Sequence, residues 1–247
     1  MPIHVMRLRP RVTRKAVIIC LILAGVLVIS AYAKISLVRV NAGGTLFWHA
    51  DEAYLFLDNV NEGVQMSCLS YLFEILKAML GGSTARTNVS CSVQALRISR
   101  ESVRSYTTDD VCLGSYRFVA GEIYSRASDG SLWKWSGTGF VRASGDEARA
   151  YNPLAPGGIS GFDNVDGWSE HSGIAGGTRD GYEVPFELQG EKMRLVTQQS
   201  SLPLEGEVTV DLVTPGQPPQ KIWSLDQGTH LVSKAHYERI FHIESHH

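Results

Sequence analysis

Oxygen-bearing side chains crowd one short stretch, Asp163-Asn164-Val165-Asp166-Gly167-Trp168-Ser169-Glu170. Carboxylates at that density suit a hard cation such as calcium, and Asp163, Asp166 and Glu170 are the candidate metal ligands. The spacing departs from an EF-hand: with Gly167 at the sixth position, the first would be Phe162. Asp and Asn bonding their own backbone account for the same residues without an ion. The same carboxylates, with His171, also form the candidate site of a hydrolase in the glycine-rich 152–182 loop, since such loops often carry function.

A second set is aromatic. On a strand, Trp133 and Trp135 project to one face and Leu132 and Lys134 to the other. Two indoles about 7 Å apart make a platform for a sugar ring or a partner chain, and Trp168 is a third candidate binding residue. The competing reading is that this face is the buried side of a β-meander.

Cysteines and histidines complete the reactive inventory. In an oxidising compartment Cys91–Cys112 is the candidate disulfide, closing a loop of about 20 residues worth about 3 kcal/mol by chain entropy. Cys68 reads as a small buried residue. Nothing in the spacing joins it to His49 as a nucleophile–base pair. His242 and His246 are four apart with Glu244 between them, a zinc-compatible spacing on a helix, but they fall in the last residues, where fraying is the norm.

Other catalytic signatures fail. Gly158-Ile159-Ser160-Gly161-Phe162 has a glycine out of place for a nucleophile elbow. The chain carries no P-loop and no Gly-x-Gly-x-x-Gly between strand and helix, so no cofactor is expected. Adjacent pairs such as Asp109-Asp110 point to opposite faces of a strand and make no dyad by adjacency alone. No catalytic residue is assigned on these grounds.

The elements that hold these residues follow a strong amino-terminal signal. Residues 16–33 are uncharged and apolar, and about 27 Å long as a helix against a hydrocarbon core of about 30 Å. Arg7, Arg9, Arg11, Arg14 and Lys15 precede them, so the positive-inside rule keeps residues 1–15 in the cytoplasm and sends 34–247 across. A cleaved secretory signal ending at Ala31-Tyr32-Ala33 is the competing form, and it puts the remainder in the same place. Of 23 basic and 25 acidic side chains, residues 34–247 hold 18 and 25, a net charge of −7 that repels a phosphate backbone and argues against nucleic acid.

Beyond the anchor, strands are expected at 35–40, 45–49 and 53–58, with Asn41-Ala42-Gly43-Gly44 as a turn. Residues 67–80 have an apolar side and a Ser67, Ser70, Glu74, Lys77 stripe, predicting the main soluble helix packing on the sheet. Strands at 89–98 and 102–107 lead to a meander over 116–142 turning at Ser128-Asp129-Gly130. It has the geometry of a single propeller blade, without a second copy at a fixed period. Helices are expected at 145–151 and at 234–241, the latter capped by Ser233. Further strands fall at 183–188, 193–198, 207–213 and 221–225.

The fold expected is therefore α+β: one transmembrane signal-anchor at 16–33, then a β-rich extracytoplasmic domain at 34–247 with antiparallel meanders and three soluble helices. The function expected is a single-pass envelope protein. It is attached to the membrane through 16–33 and serves as a non-catalytic binding or accessory module for a protein or cell-wall polysaccharide. The alternative is an envelope hydrolase at the 152–182 loop.

Overall fold

Every side chain in Ala53-Tyr54-Leu55-Phe56-Leu57 is buried, although alternate residues of a strand face opposite ways. Both faces of this strand must therefore be covered. The computed structural model describes residues 22, 25, 33–79, 87–119, 121–145, 163–165, 168–175, 182–199 and 206–243. The chain divides into two units, Met1–Ser36 with Val64–Arg86, and Leu37–Gly63 with Thr87–His247.

Fourteen strands and two helices are present among the described residues. The strands are β1 (Lys34–Trp48), β2 (Ala53–Ser67), β3 (Asn88–Ile98), β4 (Val103–Asp109), β5 (Leu113–Val119), β6 (Glu122–Ala127) and β7 (Leu132–Trp135). They continue as β8 (Phe140–Arg142), β9 (Asp163–Val165), β10 (Trp168–Ser172), β11 (Tyr182–Leu188), β12 (Glu191–Gln199), β13 (Gly206–Val213) and β14 (Gln220–Val232). The helices are α1 (Cys68–Met79) and α2 (Lys234–Ile240). One sheet runs β11-β12-β13-β14-β1-β2-β3-β4, with β10 added on β1 and β9 on β10; the other runs β5-β6-β7-β8.

Two apolar clusters occupy opposite faces of the central strands. Leu46, Leu55, Leu57, Leu96 and Ile98 join Val184, Leu195, Val210 and Trp223 of β11–β14 in the first. The alternating residues Phe47, Tyr54, Phe56, Val93 and Ala95 join Tyr116, Ile123, Trp135 and Phe140 of β5–β8 in the second. Period-two alternation thus supplies two cores from one set of strands. Burying a side chain of Leu or Phe size is worth about 1.5–3 kcal/mol, so the doubly covered segment carries a large share of the stability.

This architecture corrects the α+β expectation. Among the described residues the structure is a β fold with two short helices, in place of the three soluble helices and the membrane-spanning one expected from the sequence. The clusters are made by strands and their connections, and Tyr237 is the only helical residue among the buried hydrophobics described. Among the described residues no helix is long and apolar enough to cross a membrane. The run at 16–33 lies outside those residues save Ile22, Gly25 and Ala33, as does the helix expected at 145–151 save Gly145. Helix α1 was expected to bury its apolar side, yet Leu72 and Phe73 are 62% exposed.

Asn41-Ala42-Gly43-Gly44 is not a turn either; β1 runs straight through it. A Cβ at Gly44 would lie 2.9 Å from Leu57 Cδ2 and 3.1 Å from the carbonyl oxygens of Ile174 and Phe56. The glycine permits close backbone approach, and its carbonyl accepts from the Gly173 and Ile174 amides at 3.0 and 3.1 Å. Strand β2 likewise continues past Asp58 to Ser67.

Elsewhere chain chemistry and structure agree locally. Asp129 Oδ1 accepts from the Ser131 amide at 2.8 Å and Gly130 takes φ +84°, closing the β6–β7 turn. Ser233 Oγ accepts from the His236 amide at 3.2 Å, capping α2.

Candidate functional site

The β1–β2 connection is held from two sides. The His49 amide donates to the Glu52 carbonyl at 3.0 Å, closing a tight loop. Arg97 on β3 fixes the far end, donating to Glu52 Oε2 through Nη2 at 2.6 Å and Nε at 2.8 Å. On the other side the β11–β12 turn, with Gln189 and Gly190 at φ +52° and +78°, approaches closely enough for the Gln189 amide to donate to the Ala50 carbonyl at 2.6 Å. Both central turn residues at positive φ is the geometry of a tight two-residue hairpin.

Between these two hairpin tips opens a cleft of about 560 Å³, lined by Trp48, His49, Asp51, Ser169, Glu187 and Gln189 among others. Its aromatic wall is braced from behind. Trp48 meets Phe186 edge-on at 6.4 Å between centroids, and the His49 ring lies 5.4 Å from Trp168. Trp168 in turn rests against Tyr54 and Phe118. Burial, and then the Glu52 carboxylate, push the Tyr54 phenol up to about 12, so this buttress stays neutral. Carboxylate, amide and hydroxyl groups beside aromatic edges can hydrogen-bond a polyhydroxylated ligand while a ring packs on its apolar face.

A second unusual group is bonded to the aromatic cluster and is not among the residues lining this cleft. The Tyr116 hydroxyl donates to Asp58 Oδ1. Burial raises the Asp58 carboxyl from 3.8 to about 7, outweighing the opposing effect of that hydrogen bond. Tyr116, buried and facing Asp58, is pushed well above its ordinary range.

The residues singled out from the sequence are dispersed. Trp135 is buried among Tyr54, Phe56, Tyr106 and Phe140, with the Phe56 and Phe140 centroids both at 5.3 Å. Trp133 is half-buried against the same cluster, its Nε1 donating to Ser131 Oγ at 2.9 Å. Trp168 stands behind the cleft. Cys91 and Cys112 are joined by a disulfide with their Cα atoms 4.8 Å apart, while Cys68 is free.

Asp163 and Glu170 are opposite each other in the β9–β10 ladder. The Glu170 carboxylate lies 3.8 Å from Arg117 Nη1, and Asp166 falls outside the described residues. Among the described residues, no group of three His, Cys, Asp or Glu is placed to hold a metal ion. His171 is buried on β10, and burial lowers its pKa below the ordinary value. His242 pairs with Asp110 at 3.1 Å, and Glu244 and His246 lie outside the described residues.

Sequence reasoning missed the cleft. The four-residue spacer 189–192, with Gly190, between the strand-like runs 183–188 and 193–198 is a hairpin signal that would have placed one tip. That this tip meets the His49 loop is a tertiary fact. Compared with protein-family models, with curated proteins and with solved structures, the chain has no match.

Proposed function

We propose that this protein is a membrane-attached, extracytoplasmic binding module whose ligand is a polyhydroxylated polymer of the cell-wall type, taken up between the two hairpin tips. The observation that carries the reading is the cleft itself: Trp48 and His49 as ring surfaces beside Asp51, Ser169, Glu187 and Gln189 as hydrogen-bonding groups. The buried acid with the displaced pKa, Asp58, is not among the residues that line this cleft, which favours binding over acid–base catalysis there. The location is supported by the apolar run at 16–33 behind five basic residues. The Cys91–Cys112 disulfide supports it independently, since such bonds persist in oxidising compartments.

The test uses the full chain in detergent. Co-sedimentation with insoluble cell-wall polysaccharide should be strong for the native chain and lost in Trp48→Ala and His49→Ala. Binding untouched by both substitutions overturns the assignment of the cleft. Turnover of generic esterase, glycosidase or peptidase substrates, abolished by alanine at His49 or a cleft carboxylate, overturns the non-catalytic reading.

A further inference from the structure

Helix α1 is built like a surface-lying helix, and its apolar side is uncovered. Ser67 Oγ accepts from the Ser70 amide at 3.1 Å, capping its start. Glu74 and Lys77 pair at 3.8 Å and, with Ser70, form one polar stripe. Successive helical residues turn by about 100°, so Leu69, Leu72, Phe73, Ile75, Leu76 and Met79 share the opposite side. All six are exposed, Met79 at 80%. Isolated exposed leucines are ordinary, but six large apolar side chains together on a twelve-residue helix are a contiguous patch that marks a binding surface.

The chain's own connectivity says what covers it. The Cys68 amide, at the first residue of α1, donates to the carbonyl of Ala33 at 3.0 Å. Ala33 is the last residue of the apolar run 16–33. The end of β2 that leads into α1 is tied to the start of β1 as well, Gln65 Nε2 donating to Ser36 Oγ at 3.1 Å. Wherever the run at 16–33 leaves a bilayer, α1 begins within a hydrogen bond of that exit. At 12 residues, about 18 Å long, α1 is too short to cross but suited to lie along the boundary. Tyr71 and Lys77 belong to types that place an apolar body in lipid and a polar tip in water.

We propose that α1 is an interfacial membrane helix whose Leu69–Met79 apolar side is buried at the lipid headgroup–acyl boundary, giving the protein a second membrane contact beside the 16–33 run. The inference rests on the membrane-attached reading above, and its test separates the two.

The full chain carries Cys20→Ser and Cys68→Ser, leaving the Cys91–Cys112 disulfide intact. A nitroxide is placed singly through Leu72→Cys, Phe73→Cys, Leu76→Cys, Lys77→Cys or Val26→Cys. The proteins are reconstituted in vesicles of equal parts phosphatidylcholine and phosphatidylglycerol. Collision with oxygen, which concentrates in lipid, is compared with collision with a water-soluble nickel chelate. The expected result is an oxygen-to-nickel ratio several-fold higher at Leu72, Phe73 and Leu76 than at Lys77.

High nickel access at all four helix positions overturns the proposal by placing α1 in water. Low access to both probes overturns it by placing protein on the patch, and spin–spin broadening then identifies that protein as a second copy. Val26 reports the parent reading separately. Oxygen-rich at Val26 with nickel-rich at Leu72 removes the interfacial helix alone, whereas nickel-rich at Val26 removes membrane attachment and this inference with it. Because the helix positions are exposed, labelling them leaves the β cores unperturbed.

Discussion

Tyr116 hydroxyl donates to Asp58 Oδ1 inside an aromatic cluster, and burial holds that carboxyl at about 7. The folded state therefore keeps its proton where the unfolded chain, titrating near 3.8, has released it. The stability contribution is fully present below about pH 4 and is lost as pH rises through about 7, at a slope of roughly 1.4 kcal/mol per pH unit in that window. Asp58→Asn retains an acceptor for Tyr116 and cannot ionise. Its unfolding midpoint should lack the decline that the native chain shows between those limits. An identical decline in both proteins would assign the titration to another group.

The Cys91–Cys112 link closes a chain separation of 21 residues, for which loop entropy gives about 3 kcal/mol. Reduction, or Cys91→Ala with Cys112→Ala, should lower the denaturant midpoint accordingly. Maleimide–polyethylene glycol labelling of chain taken from intact cells should add two further adducts after reduction. Four adducts without reduction would place the domain in a reducing compartment.

Phe56 is fully buried and meets Phe47, Tyr54, Tyr116, Trp135 and Phe140. Phe56→Ala should cost about 3–5 kcal/mol in unfolding free energy, because the ring's transfer energy and a cavity add together. Val141 on the short strand β8 is 49% exposed, and Val141→Ala should change stability by no more than about 0.5 kcal/mol. Equal effects in the two variants would contradict the placement of the core.

Gly63 lies against the carboxy-terminal helix. A Cβ there would run into the rings of Phe241 and Tyr237, which themselves pack 4.7 Å apart. Gly63→Ala should destabilise by about 1–3 kcal/mol through overpacking. Hydrogen exchange should show the loss concentrated in α2. The Tyr237 hydroxyl accepts from Asn88 Nδ2 at 3.0 Å, so Tyr237→Phe tests the same docking at a smaller cost of about 1 kcal/mol.

Local chemistry is legible in the sequence itself. Alternating apolar residues, Asp129-Gly130 and Ser233 act over a few residues, so most strands, the β6–β7 turn and the α2 cap follow from neighbours in the chain. The apolar, charge-free 16–33 run is likewise a property of sequence alone. Long-range packing was not readable. Gly43-Gly44 has the composition of a turn yet lies within β1, where a Cβ at Gly44 would crowd Leu57 of β2 and the backbone carbonyl of Ile174, far along the chain. An amphipathic pattern at 68–79 states that one side is apolar, but not whether protein covers it. The cleft joins residues 48–51 to 187–190, and no local rule links segments well over a hundred residues apart. Hydrogen-bonding and conformational preferences are short-ranged and leave marks in composition, whereas the meeting of two hairpin tips depends on how every intervening strand pairs.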